Sequence, residues 1–267
     1  MSKVLHTILY VEDEPDIQRV VKLALETMAG MRVIGCSSGA EAIARSADAE
    51  IDLILLDVMM PNMDGPTTLH RLREIPALAH TPVVFMTAKA HPSEIAHFKA
   101  LGALDVIAKP FDPLTLATTL RAIWARALTL PQSPASAMKQ PTDSLEPSAE
   151  KRFAARMVEL TAQFQRELPA RLDTLRQQWQ AWRDCWSLEA LDALENSTHN
   201  LAGAGSTFGY DELTVRARAL DRHLRTLLLQ RSPAPAPLEE SALWGEISAL
   251  FSRLEVELQR IVEQLKK

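Results

Sequence analysis

Five polar residues with the means to do chemistry stand at the ends of short apolar runs in the first half of the chain. Glu12 and Asp13 follow TILYV, and Asp57 ends LILLD. Thr87 and Lys109 follow two later runs. Three crowded carboxylates favour a bound cation, and oxygen ligands without a soft donor are those that Mg²⁺ prefers. A lysine and a hydroxyl beside them suit a phosphoryl group, for which Asp57 would be the nucleophile.

The elements that must position these residues are short strands separated by helical segments. Apolar strands that alternate with amphipathic helices predict an α/β domain, with a doubly wound, five-stranded parallel sheet over residues 1–127. Ligands of such sheets bind beyond the carboxyl ends of the strands, so the five residues should converge on one rim. Helix caps or solvated charges would explain any one of them, but not all five together. The predicted strands are TILYV, RVIGC, LILLD, PVVFM and DVIA.

Residues 4 to about 127 resemble the receiver domain of two-component response regulators. The motifs that carry the resemblance are ILYVEDEPD, LILLDVMMPNMDG, FMTAKA and GALDVIAKPF. The resemblance implies a flavodoxin-like fold in which Asp57 accepts a phosphoryl group and Glu12 and Asp13 are the acid pair that binds Mg²⁺.

The same resemblance implies roles for residues around the acids. The main-chain carbonyl of Met59 would be a further metal ligand, and Thr87 and Lys109 would contact the phosphoryl group. The Lys109–Pro110 peptide bond is expected to be cis, an isomer that proline makes accessible.

Two positions depart from the pattern of receiver domains. Glu12 stands where an aspartate is commoner, which keeps the charge but lengthens the side chain. Val106 stands where a tyrosine or phenylalanine usually swings inward after phosphorylation. Valine cannot repeat that movement, so switching would rely on Thr87 and the loop that follows it, or would be muted.

The second half of the chain differs in composition from the first. Residues 128–149 contain several prolines and no apolar periodicity, which predicts a linker. Residues 150–267 have helical periodicity throughout, interrupted by SPAPAP at 232–237. Long helices with short connections predict an all-α, antiparallel four-helix bundle, in which Pro169 would kink or divide the first helix.

His199 lies in one of these helices, in the stretch STHNLAGAGSTFGYDEL. It is one residue away from the apolar stripe, so it should lie on the flank of the bundle, with small residues leaving space above it. A nucleotide-binding loop is disfavoured, because the glycine spacing is wrong and the glycines end a helix. A surface histidine and a phosphorylatable histidine both remain possible. The stripe comprises Leu191, Leu194, Thr198, Leu201, Gly205 and Phe208.

Residues 150–267 resemble the histidine-containing phosphotransfer (Hpt) domain, whose pattern is His-x-Leu-Lys-Gly followed by small residues and Phe-Gly or Leu-Gly. The resemblance implies that His199 carries the phosphoryl group. Ala202 replaces the usual lysine, and a later arginine, Arg216, Arg218 or Arg222, is a possible substitute. The positions that match the pattern are His199, Leu201, Gly203, Ser206, Phe208, Gly209 and Leu213.

Charge and hydropathy exclude several other classes of protein. The formal net charge of −5 argues against a nucleic-acid partner. No run reaches the length of about 18 apolar residues that a membrane span needs, so we expect no membrane insertion and a cytoplasmic location. Cys36 and Cys185 are far apart and have no metal-ligand spacing.

The sequence thus favours a phosphorelay signalling protein, in which Asp57 and His199 exchange phosphoryl groups with a sensor histidine kinase or other receiver domains. Such a protein is a phosphoryl carrier, with a receiver that catalyses its own phosphorylation and dephosphorylation. The alternative is a phosphorylation-gated receiver that controls a helical binding or dimerisation module without phosphotransfer. A third hypothesis is a phosphate sink, in which hydrolysis at Asp57 drains a kinase.

Overall fold

The computed structural model describes residues 4–46, 50–87, 91–128, 147–230 and 242–266. Its contacts divide the chain into two compact units, Met1–Val158 and Glu159–Lys267. The predicted linker over 128–149 lies outside the described residues except at its two ends. Residues 147–149 already belong to a helix. Within the described ranges, no helix combines the length and the apolar character that a membrane crossing requires.

The first unit contains a five-stranded parallel sheet with the strand order β2-β1-β3-β4-β5. This is the flavodoxin-like order, whose switch point lies between the first and third strands. The three central strands are completely buried, since apolar side chains cover both of their faces. The strands are β1 (Thr7–Val11), β2 (Arg32–Cys36), β3 (Leu53–Asp57), β4 (Val83–Thr87) and β5 (Asp105–Ala108).

Helices cover both faces of the sheet, and their ends follow local capping rules. Pro15 begins the first helix, and Gly30 ends it in the left-handed region at φ 63°. The side chains of Ser38 and Asp64 cap the next two helices by accepting hydrogen bonds from backbone N–H groups. The helices are α1 (Pro15–Ala29), α2 (Gly39–Arg45), α3 (Gly65–Arg73), α4 (Pro92–Ala100) and α5 (Pro113–Leu128).

The strands predicted from the sequence agree with this sheet. Four of the five runs coincide with strands residue for residue, and the fourth strand begins at Val83 instead of Pro82. Proline has no N–H to donate to a ladder, so Pro82 contributes only its carbonyl, which accepts from the Ile54 N–H.

The second unit is built by four helices that share one apolar core. Short connections at Trp186–Ser187 and 208–210 make successive helices antiparallel. The first helix continues through Pro169, so this proline does not divide it. The helices are α6 (Pro147–Cys185), α7 (Leu188–Thr207), α8 (Asp211–Leu229) and α9 (Ala242–Leu265).

Candidate functional site

The acidic residues meet at the carboxyl ends of the two strands on either side of the switch point. Glu12 and Asp13 follow β1, and Asp57 is the last residue of β3. One carboxylate oxygen from each of the three lies within 4.8 Å of the others. Glu12 and Asp57 are buried, whereas Asp13 is partly exposed. The predicted convergence of these acids on one rim is therefore present in the structure.

Lys109 brings a positive charge into this cluster from the end of β5. Its Nζ lies 2.8 and 2.7 Å from the two carboxylate oxygens of Glu12 and 3.2 Å from Oδ2 of Asp57. Burial alone would lower the pKa of Lys109, but attraction to Asp57 and Glu12 outweighs it and raises the pKa above its usual value. Lys109 is therefore a permanent cation in contact with the carboxylates.

One lysine does not balance three carboxylates. Burial raises the pKa of Glu12 to about 7, against the opposing effect of Lys109 and with a further raising effect from Asp57. Three carboxylates beside one lysine also leave a net negative charge in a largely buried site. A hard divalent cation would supply the missing positive charge, and an all-oxygen donor set fits Mg²⁺.

Tyr10 is a residue of this site that the sequence analysis missed. Its hydroxyl donates a hydrogen bond to Oε2 of Glu12 over 2.9 Å, in a fully buried setting. Burial and the neighbouring Glu12 carboxylate raise the pKa of Tyr10 well above its usual value, so the phenol stays protonated and remains a donor. Side chains alternate between the two faces of a strand, so residues 10 and 12 lie on the same face. This alternation could have indicated from the sequence that Tyr10 is close to Glu12.

Thr87 and Met59 lie at the same end of the sheet. Thr87 is a buried residue at the end of β4, and its carbonyl accepts a 2.7 Å hydrogen bond from the Lys109 N–H. Met59 is partly exposed in the turn after Asp57. The predicted roles of both residues toward a metal or phosphoryl group stay predictions. The Lys109–Pro110 peptide bond is cis, as predicted.

Val106, the residue in place of the expected aromatic side chain, lies in β5 and packs against the apolar cluster on one face of the sheet. The loop that was predicted to assist switching covers residues 88–90, which lie outside the described residues.

The motif LILLDVMMPNMDG ends at Gly65, where the structure has no room for a side chain. A Cβ atom at this position would lie 2.4 Å from the carbonyl oxygen of Asp57 and 2.9 Å from the Cα of Val58. The Gly65 N–H also donates to the Val58 carbonyl over 2.9 Å. Glycine therefore allows the start of α3 to approach the backbone of Asp57. Any other residue type at position 65 would displace that backbone.

His199 lies on α7, one residue away from the buried stripe, with 19% of its side chain exposed. Five of the six residues predicted for the stripe are buried, and Phe208 is partly buried. The Nδ1 atom of His199 lies 3.4 Å from Oδ1 of Asp221 and 3.5 Å from Nη2 of Arg225. Both partners belong to α8, which packs along α7. The imidazole is therefore held at Nδ1 between a carboxylate and a guanidinium of the neighbouring helix.

Arg225 also binds a second acid next to the histidine. Its Nε donates to Oε1 of Glu195 over 2.8 Å, and Glu195 lies one helical turn before His199. Glu195 is buried, and burial raises its pKa against the opposing attraction of Arg225. The histidine site therefore alternates positive and negative groups across two helices.

An arginine that the sequence did not suggest, Arg225, lies beside His199. Arg216 pairs with Glu212 over 2.7 Å and donates to the Arg253 carbonyl. Within the part of the chain that the structure describes, the arginine in contact with the imidazole is Arg225. Ala202, the residue in place of the usual lysine, is buried in the core of the bundle.

The glycines after His199 were interpreted as clearing space above the imidazole, and for Gly205 this interpretation is wrong. Gly205 is buried, and a Cβ atom there would lie 2.6 Å from Oγ1 of Thr214 and 3.3 Å from the Tyr210 carbonyl oxygen. Its small size serves the close approach of α7 and α8.

Comparisons with known proteins agree with both halves of this description. The family model described as "Response regulator receiver domain" matches residues 8–121, and the model described as "Hpt domain" matches residues 159–267. Together with the sheet order and the two sites, these matches define the class: residues 8–121 belong to the receiver family and residues 159–267 to the Hpt family. The chain thus has the architecture of a phosphorelay signalling protein.

Individual relatives match the first half of the chain. The transcriptional regulatory protein ResD of Bacillus subtilis is 37% identical over 120 residues, which are 45% of this chain and 48% of ResD. The signal transduction histidine-protein kinase BarA of Escherichia coli is 33% identical over 111 residues, 42% of this chain and 12% of BarA. The solved chemotaxis response regulator CheY4 of Vibrio cholerae is 32% identical, with a TM-score of 0.42, and covers 45% of this chain and 99% of its own. The chain spans about half the length of the first curated regulators it matches.

Proposed function

We propose that the chain is a phosphoryl carrier with two sites, in which Asp57 accepts a phosphoryl group and His199 exchanges one with receiver or kinase partners. The observation that carries this proposal is that both nucleophiles already have charged partners in contact, Lys109 at Asp57 and Asp221 with Arg225 at His199.

At the first site, a carboxylate oxygen of Asp57 attacks the phosphorus of a phosphohistidine on a partner kinase or Hpt domain. The new bond is O–P in an acyl phosphate, and the N–P bond of the donor breaks, so the donor imidazole leaves. Lys109 would offset the charge on the phosphoryl oxygens, and the Thr87 hydroxyl would donate to one of them. This attack needs no general base, because a carboxylate nucleophile has no proton to lose.

The residues that would hold Mg²⁺ are Glu12, Asp13 and Asp57, with the Met59 carbonyl as the proposed fourth ligand. Their surplus negative charge and their hard oxygen donors fit this ion. Mg²⁺ would supply positive charge to the transferring phosphoryl oxygens. The same site serves hydrolysis of the acyl phosphate, so the receiver would catalyse its own phosphorylation and dephosphorylation.

At the second site, the neutral imidazole of His199 attacks an acyl phosphate on a receiver domain. We assign the attack to Nε2, because Nδ1 lies against Asp221 and Arg225 of α8. An N–P bond forms, the O–P bond breaks, and the aspartate of the partner leaves as a carboxylate. Arg225 then takes the place of the usual lysine as the cation near the phosphoryl group.

The experiment is to follow labelled phosphate from a phosphorylated kinase or receiver onto the full-length chain. We expect Asp57→Asn to remove the base-labile acyl phosphate and His199→Gln to remove the base-stable phosphohistidine. Matched controls are Asp112→Asn, an exposed acid of the first unit, and His223→Gln, a partly exposed histidine on the same bundle. Labelling that survives both Asp57→Asn and His199→Gln would contradict the proposal.

The second candidate function, a receiver that gates a binding or dimerisation module, is favoured by one observation: the buried Ala202 cannot contribute the cation of the usual lysine. Its signature is different. Asp57 becomes labelled, the mass of the particle in solution changes with that label, and His199→Gln alters neither labelling nor transfer.

A further inference from the structure

Among the described residues of the first unit, Tyr10 is the largest side chain that is fully buried. It is fully buried, and its ring packs with the apolar cluster that contains Ile8, Val21 and Trp124. A buried phenol requires a hydrogen-bond partner, because an unsatisfied hydroxyl in the core costs free energy. A phenylalanine would fill the same space without that requirement. The role of the Tyr10 hydroxyl must therefore lie in the hydrogen bond that it makes.

The partner is the carboxylate of Glu12. Side chains two residues apart on β1 lie on the same face, and the Tyr10 hydroxyl donates to Oε2 of Glu12 over 2.9 Å. Lys109 approaches the same carboxylate from β5 and contacts both of its oxygens, at 2.8 and 2.7 Å. The carboxylate is thus held from two sides.

The length of the Glu12 side chain fits this arrangement. An aspartate at position 12 would withdraw the carboxylate by one methylene, roughly 1.5 Å, and a 2.9 Å hydrogen bond could not survive that change without movement of the strand. Tyrosine at 10 and glutamate at 12 are therefore a matched pair. The longer acid reaches the phenol, and the phenol restrains the longer acid.

We propose that Tyr10 is a positioning residue for the cation site, since its hydroxyl holds the ionised Glu12 carboxylate beside Asp13 and Asp57. The inference rests on the proposed function, because it assigns Tyr10 a role toward the proposed Mg²⁺ site. Tyr10 acts through Glu12 and does not itself bind the ion.

The test is calorimetric titration of Mg²⁺ into the metal-free, full-length chain. Tyr10→Phe removes one oxygen atom, and we expect it to raise the Kd for Mg²⁺ by about tenfold, the effect of losing one hydrogen bond to a charged group. Glu12→Asp should weaken Mg²⁺ binding by a similar factor when it is made in the unsubstituted chain. In the Tyr10→Phe variant it should weaken binding by less than about twofold, because the two residues act as a pair.

The control is Ile8→Val, which removes a buried methyl group from the same face of the same strand and should leave the Kd unchanged. Asp57→Asn provides the baseline without the site. If Tyr10 had only a packing role, Tyr10→Phe would lower the stability of the metal-free protein without changing the Kd for Mg²⁺. An unchanged Kd in Tyr10→Phe, or strictly additive effects of the two substitutions, would overturn the inference. Failure of the unsubstituted chain to bind one Mg²⁺ in an Asp57-dependent manner would instead refute the proposed metal site.

Discussion

In the proposed function, the acidic site and the histidine site both activate a nucleophile toward phosphorus, but their charges are arranged differently. At the acidic site, three carboxylates share one lysine at the end of a buried sheet. At the histidine site, Glu195, Arg225 and Asp221 alternate in sign on two helices, and the imidazole is partly exposed.

This difference in charge indicates which of the two sites requires a bound metal ion. Burial, with a further effect of the Asp57 carboxylate, raises the pKa of Glu12 to about 7, and a bound cation would favour its ionised form. At the histidine site the buried acid Glu195 has its own cation, because Nε of Arg225 donates to it over 2.8 Å. We therefore expect its stability and chemistry to be nearly independent of Mg²⁺.

The largest expected effect comes from removing the lysine of the acidic site. Lys109→Met leaves the buried Glu12 and Asp57 without their cation, which should lower the unfolding free energy of the first unit by about 4 kcal/mol in metal-free buffer. Hydrogen exchange of peptides from β1 and β3, resolved by mass spectrometry, measures this loss. Lys99→Met, which removes an exposed lysine of α4, is the control and should have little effect. Equal protection in the two variants would show that the acids do not need Lys109.

The next effect is a pH dependence confined to the acidic site. The folded-state pKa of Glu12 is raised from 4.5 to about 7, so its contribution to stability is fully present below pH 4.5 and is lost as the pH rises through 7. The loss in metal-free buffer should be about 3 kcal/mol, following linkage between protonation and folding. Denaturant titrations from pH 4.5 to 8 measure it, and Glu12→Gln should remove this component of the profile. A Glu12→Gln profile parallel to that of the unsubstituted chain would contradict the assignment.

Glycine substitutions compare backbone crowding at the two sites. Gly65→Ala drives a Cβ into the backbone of Asp57 and Val58 and should cost about 3 kcal/mol, whereas Gly205→Ala meets the more movable Oγ1 of Thr214 and should cost about 1 to 2 kcal/mol. Chemical denaturation measures both. The control is Gly245→Ala on α9, where a Cβ has open space and should stabilise the helix by up to about 1 kcal/mol. A Gly205→Ala variant as stable as Gly245→Ala would mean that α7 and α8 separate without cost.

The smallest effect is expected from the arginine of the histidine site. Arg225→Met leaves the buried Glu195 without its bonded cation, but Arg225 itself is partly exposed and its interaction is weakened by water, so the unfolding free energy should fall by only about 1 kcal/mol. Phosphotransfer to His199 should slow at the same time, as measured with a labelled receiver. Arg260→Met, which removes the partner of the buried Glu257 on α9, should leave transfer unchanged. Equal rates of phosphotransfer in Arg225→Met and Arg260→Met would show that Arg225 has no role in transfer at His199.

The acidic site could be predicted from sequence almost in full, because strands end where their apolar runs end. The run before Glu12 and the run that ends at Asp57 coincide with β1 and β3, and parallel strands bring these ends together. The partners of His199 could not be predicted in the same way. Arg216, Arg218 and Arg222 all lie on the same helix as Arg225, and only the rotation of α8 against α7 decides which of them faces the histidine.

The order of strands and helices, the identity of the acids and the position of His199 beside a buried stripe could all be read from the sequence, because periodicity and strand ends are local properties. The contacts of Lys109 with Glu12 and of Asp221 and Arg225 with the imidazole, and the packing role of Gly205, became visible in the folded chain. Those contacts join residues far apart along the chain, and their geometry depends on how elements pack, which no local pattern encodes. The Tyr10–Glu12 hydrogen bond lies between these cases: the strand places both side chains on one face, but the fold buries them together.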